Sequence, residues 1–500
     1  MKRGRGTALL ALCVAFVALP VRAGEPTAPL KISGGAIAGS RADGLQTYLG
    51  IPYAAPPVGA LRWRAPQPVA PWQGVKDASH YAAACAQTAE WITNPKSEDC
   101  LYLNVWAPAK MARAARLPVI VWIHGGGYYG GTAAQPLYNG SRLARHGAVV
   151  VTVNYRLGIF GFFAHPELSA ESPDHASGNQ GILDQIAALR WVKANIARFG
   201  GDPQRVTIVG ESAGGESVAL LVASPLAKGL FQRAIAESGN DALPLDASES
   251  QRFTRKAAEA EGAAVGKLAD LRAQDTAALQ KQAWMPRTFV DGHLLREDLT
   301  TLYRNHRQND VPLLVGWNAE EGKDLAPEIL GTGDFTAANH NGLVAKLLGR
   351  TPSPAVLAAY PGATDVQAKA SLNQLTNDWW GWRMAHWAGL QAQHGRAPAY
   401  VYFFAHRPAP PASPCGYGCG AGHGAEIQYV FDNLALDQRA WSPADRQLAE
   451  RMAATWVNFA RSGNPNGSGL PQWPAYDGTN ATVLRIGDEN DALPDFSLFR

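Results

Sequence analysis

Apolar residues along this chain follow two rhythms. Short unbroken runs, Pro118-Val119-Ile120-Val121-Trp122-Ile123 and Ala148 to Asn154, have the length of strands buried on both faces of a mostly parallel sheet. Between 179 and 198 the apolar positions Ile182, Leu183, Ile186, Leu189, Val192 and Ile196 recur every three or four residues, which predicts a helix with one apolar face. Leu101 to Trp106, ended by Pro108, reads as another strand, as do Arg205 to Val209, Arg233 to Glu237, Val311 to Val315 and Ala399 to Phe404. Helical patterns fill 245 to 285, 335 to 395 and Pro443 to Arg461, the last with Leu448, Met452, Trp456 and Phe459 on one face. Residues 30 to 75 are rich in Gly and Pro and suggest short strands and loops around a larger body.

Strands alternating with helices specify βαβ crossovers and an α/β fold built on a parallel sheet. No linker interrupts the series, so 24–500 reads as a single domain and the helical stretches at 245 to 300 and 335 to 395 as insertions that cap the sheet and its active site and supply the walls of the pocket. The tryptophans Trp379, Trp380, Trp382 and Trp387 in the second insertion read as core and not as pocket.

Composition adds a secretory leader. Residues 1–23 carry basic Lys2 to Arg5, an apolar run from Ala8 to Leu19 and a small-residue cleavage site, Val21-Arg22-Ala23. The run is too short to span a bilayer. The leader holds four bases and no acid, so the formal charge of +3 falls to −1 without it. No nucleic-acid partner and no stable membrane insertion are expected of the mature chain, which is read as secreted or periplasmic. Export permits disulfides, and the remaining Cys85, Cys100, Cys415 and Cys419 allow three connectivities. Proximity favours Cys85 with Cys100 and Cys415 with Cys419; the first loop would constrain the unfolded chain by about 3 kcal/mol. Neither pair has zinc-knuckle spacing, so no metal is expected.

The chemistry centres on Gly210-Glu211-Ser212-Ala213-Gly214, which follows a strand and fits the G-x-S-x-G elbow, a sharp corner that exposes a serine hydroxyl. Such a serine needs donors for an oxyanion, a base and an acid. His124-Gly125-Gly126-Gly127 ends a buried strand upstream, where bare backbone N–H groups can face a substrate oxygen, and Ala213 would add a further donor. Of His340, His386, His394, His406 and His423, only His423 sits in a small-residue loop after a strand. The acid lies in Asn318-Ala319-Glu320-Glu321-Gly322 or just beyond, and residue chemistry leaves Glu320, Glu321 and Asp324 open.

These motifs, with Tyr48-Leu49-Gly50-Ile51-Pro52-Tyr53-Ala54, Leu61-Arg62-Trp63, Ser97 to Val105, Phe199-Gly200-Gly201-Asp202-Pro203, Asn458-Phe459-Ala460 and Gly463-Asn464-Pro465, run in order from about residue 30 to the C-terminus. The chain resembles the type-B carboxylesterases, the family of para-nitrobenzyl esterases, animal carboxylesterases and cholinesterases. The resemblance implies an α/β-hydrolase fold, a mostly parallel sheet flanked by helices, and hydrolysis of a small-molecule carboxylic ester through an acyl-enzyme. It makes Ser212 the nucleophile, Glu321 the acid and His423 the base, with Gly126, Gly127 and Ala213 as oxyanion donors and no cofactor. It also implies the Cys85–Cys100 disulfide and an Arg62–Glu98 ion pair. The Cys415–Cys419 pair has no counterpart in the family pattern and is read as a small disulfide stiffening the His423 loop. Trp91 lies near the cation-binding tryptophan of cholinesterases, offset by one residue, and is read as a packing or rim residue. Two alternatives remain: a lipase or an esterase specialised for aromatic, polyester, toxin or choline esters, and a non-catalytic binding protein of the same fold. The latter typically lacks the serine or the histidine, and both are present here.

Overall fold

The computed structural model describes residues 24–109, 116–239, 254–410, 419–436, 439–487 and 493–499. The expected leader at 1–23 and Cys415 lie outside the described residues.

An eleven-stranded sheet runs through the molecule. Its strands are β1 (Glu25–Pro26), β2 (Ser40–Ala42), β3 (Leu45–Pro52), β4 (Tyr102–Pro108), β5 (Leu117–Ile123), β6 (Val149–Val153), β7 (Gly201–Glu211), β8 (Arg233–Glu237), β9 (Leu313–Asn318), β10 (Ala399–Ala405) and β11 (Val483–Gly487). The spatial order is β1-β2-β3-β4-β6-β5-β7-β8-β9-β10-β11. From β6 through to β11 every neighbouring pair is parallel, whereas β1 to β4 join the β6 edge as an antiparallel meander. Strand β11 has a weak apolar pattern and was not foreseen in the sequence.

The period of two in the strands divides the core. Val119, Val121 and Ile123 of β5 face one apolar cluster, and Ile120 and Trp122 face the other. Helix α1 (Gln180–Asn195) and helix α2 (Ala213–Ala223) cover the first face, where Ile182, Ile186, Leu189 and Val192 of α1 are at most 1% exposed. α1 ends three residues earlier than the apolar stripe suggests, because Ile196–Phe199 tightens into a 3-10 turn closed by Gly200 at φ +81°. The C-terminal helix Pro443–Ser462 covers the opposite face with Met452, Trp456 and Phe459. It starts from a capping box in which Ser442 and Asp445 satisfy each other's backbone N–H groups.

The first insertion, described from residue 254, contains helices Arg255–Val265, Leu268–Ala273 and Thr276–Gln280. It is tied down by the buried Arg62–Glu98 pair, joined by two hydrogen bonds of 2.7 Å. Arg62 Nη1 also donates to the carbonyls of Arg272 and Gln274, and Thr276 Oγ1 to Glu98. Cys85 and Cys100 form a disulfide. Cys419 is also disulfide-bonded. Among the described residues no helix is long and apolar enough to cross a membrane.

Candidate active site

The corner between β7 and α2 is built by steric exclusion. Ser212 has φ +56° and ψ −127°, a conformation that side chains rarely adopt, and it persists because the strand and helix are in backbone contact on either side. A Cβ on Gly210 would stand 2.4 Å from the backbone of Gly214, and one on Gly214 would stand 2.1 Å from the carbonyl oxygen of Ile123. Only glycine fits at either place. The Ser212 N–H donates to Glu237 O at 2.9 Å, locking the corner to β8.

Gly126, Gly127 and Ala213 lie around this corner. Gly126, at φ +102°, turns the loop after β5 so that its carbonyl accepts from Tyr129 and Gly130. Ala213 is the first residue of α2, where an N–H has no partner within the helix. Among the described residues no acceptor takes the N–H of Gly126, Gly127 or Ala213. All three residues line one cavity of about 590 Å3 together with Ser212 and His423.

Of the three candidate acids, one lies against the imidazole of His423. Glu321, the first residue of helix α3 (Glu321–Leu330), is fully buried, and its Oε2 lies 2.6 Å from His423 Nδ1. Its Oε1 accepts from Ser238 Oγ at 2.5 Å and from Asn318 N–H at 2.7 Å, and its own N–H donates to Asn377 Oδ1 at 2.9 Å. Glu320 turns away to Arg407, and Asp324 accepts the backbone N–H of His423. The other candidate histidines lie elsewhere. His406 pairs with Asp445, His386 packs on Trp382, His340 contacts Asn341, and the carbonyl of His394 meets His306.

A second layer of charge was missed in the sequence. Glu211, the residue before the serine, is 5% exposed, and its Oε1 lies 3.2 Å from His423 Nε2. Glu426, three residues after His423, and Glu237, at the end of β8, are both fully buried. Asn318 Nδ2 donates to Glu426, and Trp456 Nε1 to Glu237. Burial raises the pKa of Glu211, Glu237 and Glu426. Burial alone would lower that of His423, but the carboxylates of Glu211 and Glu321 outweigh it and raise the imidazole well above its usual range. The only sequence signal for this layer is an acid at the variable position of the elbow and another three residues past the histidine, where nothing in the residue pattern marks burial.

The sequence profile of the carboxylesterase family matches residues 26–496. The chain belongs to the carboxylesterase family. It is a carboxylic ester hydrolase on that ground, and esterases are among its relatives. Fumonisin B1 esterase of Sphingopyxis macrogoltabida is 36% identical over 98% of this chain and 92% of its own length. Cocaine esterase of Homo sapiens is 38% identical over 87% of this chain and 82% of its own. Among solved structures, a PNB esterase superposes with a TM-score of 0.74 at 34% identity, covering 90% of this chain and 93% of that one. The α/β-hydrolase fold of this carboxylesterase family member is therefore that of its structural relatives.

Two expectations about the pocket need correcting. Trp380, read as core and not pocket, is buried in the main apolar cluster but also lines the cavity, T-shaped to the His423 ring with ring centres 6.1 Å apart, because the 30-residue helix α4 (Asp365–His394) runs beside the site. Trp387, two turns further along the same helix, is the core residue expected. The described part of the 245 to 300 segment does not line this cavity but packs on Trp63, Phe160 and Phe163; α3 takes its place as a wall, with Leu325 and Ile329. Trp91 lines the mouth and is 56% exposed, as a rim residue should be.

Proposed function

We propose that the protein is a serine carboxylesterase that acylates and deacylates Ser212. The observation that carries this reading is the convergence, on one cavity, of Ser212, the Glu321-supported imidazole of His423 and three backbone N–H groups with no other acceptor. Ser212 Oγ attacks the ester carbonyl as His423 Nε2 takes its proton. The carbonyl oxygen, now negative, is held by Gly126, Gly127 and Ala213, with the N-terminal end of α2 adding its partial positive charge. His423 returns the proton to the leaving alcohol, and the same steps with water release the acid. Glu321 keeps the ring proton on Nδ1, so that Nε2 is the nitrogen that takes the serine proton. Residues 24–500 act as one catalytic unit, exported behind the 1–23 leader, and its Cys85–Cys100 disulfide fits an oxidising compartment.

Ser212→Ala tests this directly. The parent should turn over para-nitrophenyl esters and take up a fluorophosphonate probe, and the variant should do neither; a parent that neither hydrolyses nor labels would favour the binding-protein alternative.

Glu211 carries a further expectation. Its carboxylate faces His423 Nε2 and stabilises the imidazolium, whereas the base must be neutral. Glu211→Gln removes that anion, so the imidazole loses its proton at lower pH. The acidic limb of the kcat/KM profile should move down by about 1 to 2 units. A limb that stays in place, or moves up, would show that Glu211 does not set the charge of His423.

A further inference from the structure

On the reading of His423 as the base that serves Ser212, its ring must point the same way in every turnover. The loop that carries it is poorly suited to that by itself, because Gly420, Gly422 and Gly424 alternate around the histidine and leave the backbone little stiffness of its own. The contact from Glu321 to Nδ1 fixes one atom of the imidazole, about which the ring can still pivot. Removing the pivot requires a hold on the backbone of His423.

Two side chains grip a single peptide group there. Between Gly422 and His423, the carbonyl oxygen accepts from Asn318 Nδ2 at 2.8 Å and the N–H donates to Asp324 Oδ2 at 2.9 Å. Both side chains come from the segment that supplies the acid. Asn318 ends β9, Glu321 follows three residues later, and Asp324 lies three beyond that in the first turn of α3. One short stretch of chain therefore holds both the peptide and the ring of His423, and fixes each relative to the other. Asn318 is fully buried, and its Nδ2 also donates to Glu426. Gly422 completes the fit, since a Cβ on it would stand 2.4 Å from Asp324 Oδ2 and displace the carboxylate. One residue upstream the seam continues: the Glu320 N–H donates to Ala421 O at 2.9 Å, and the Ala421 N–H to Glu320 Oε2 at 3.2 Å.

We propose that Asn318 and Asp324 are positioning residues that clamp the Gly422–His423 peptide and so aim Nε2 of His423 at Ser212. Asp324 acts as a hydrogen-bond acceptor, and its negative charge is incidental to the role. Neither side chain is assigned a contact with the reacting atoms, so losing one slows the proton transfer and leaves ester binding as it is.

The test compares Asp324→Ala, which removes acceptor and charge together, with Asp324→Asn, which removes the charge and keeps an oxygen for the His423 N–H. Asn318→Ala removes the other end of the clamp. Turnover of a para-nitrophenyl ester is expressed per site labelled to completion by a fluorophosphonate, so that unfolded protein does not count. Each alanine variant should lower kcat by about 10- to 100-fold with KM within about twofold, and Asp324→Asn should recover to within about threefold of the parent. The acidic limb of the kcat/KM profile separates position from charge. Glu211, Glu321, Glu426 and Asp324 all place carboxylates near His423, and both Asp324 variants lose the same one. Any further downward move of the limb in Asp324→Ala alone reports a loosened Glu321 contact, and such a move is expected. Parental kcat in either alanine variant, or Asp324→Asn as impaired as Asp324→Ala, overturns the proposal. A parent that neither turns over ester nor labels overturns the Ser212 reading and the clamp with it, whereas an active parent with unimpaired alanine variants overturns the clamp alone.

Discussion

His423→Ala and Glu321→Gln should each lower kcat for para-nitrophenyl esters by about 10^4-fold or more, with KM little changed. On the proposed mechanism His423 is the group that moves the proton. Glu321 fixes its tautomer through the 2.6 Å contact to Nδ1 and balances the positive charge that forms. A glutamine at 321 keeps the shape, but it can present an amide N–H to Nδ1, which moves the ring proton to Nε2, where the serine needs an acceptor. The neighbouring acid separates charge from position. Glu320 is paired with Arg407 at the surface side of the turn, so Glu320→Gln should stay within about threefold of the parent. Steady-state kinetics of the three variants checks both statements, and a collapse in Glu320→Gln with activity retained in Glu321→Gln would reverse the assignment.

Gly214→Ala should be nearly as damaging, by a different route. The added methyl carbon would stand 2.1 Å from the Ile123 carbonyl oxygen and about 3 Å from the backbone carbons of Ile123 and His124, all fixed in or next to a central strand. Helix α2 must then lift off β5, at a cost of about 3 kcal/mol. The lift also moves the Ala213 N–H relative to Gly126 and Gly127, and a shift of about 1 Å in such a constellation costs roughly 100-fold in rate. Urea unfolding and kcat measured at a temperature where the variant is folded should show both losses. A variant as stable and as active as the parent would mean that the corner is looser than its contacts indicate.

How much of this was legible in the sequence depends on whether the signal was local. The buried strands β5 to β9 announce themselves, because burial on both faces demands unbroken apolar runs, and the elbow does so because its glycines are a steric necessity. Of the predicted residues that the structure brings to the cavity, Gly126, Gly127, Ser212 and Ala213 lie just past the ends of β5 and β7, whereas His423 sits in a loop well beyond β10. β11 was missed because an edge strand needs apolar side chains on fewer positions; Val483 and Ile486 are buried while Arg485 and Gly487 are exposed. Trp380 was placed in the core because helical spacing gives the turn of a side chain but not what the helix faces. Glu211, Glu237 and Glu426 look like ordinary surface acids in sequence. Their burial close to one another is a product of two strands and a loop meeting, and no local pattern encodes it. Choosing between Glu320 and Glu321 likewise needed either the family resemblance or the distance to His423 Nδ1.

The central claim is a covalent acyl-enzyme at Ser212. Rapid acid quench of the protein during turnover of a para-nitrophenyl ester, followed by intact mass and peptide mapping, tests it most directly. The account predicts a mass gain of one acyl group on the peptide that contains Ser212, absent in Ser212→Ala and accumulating in step with a burst of nitrophenol. Turnover with no adduct in the quenched parent, or an adduct on another residue, would contradict it.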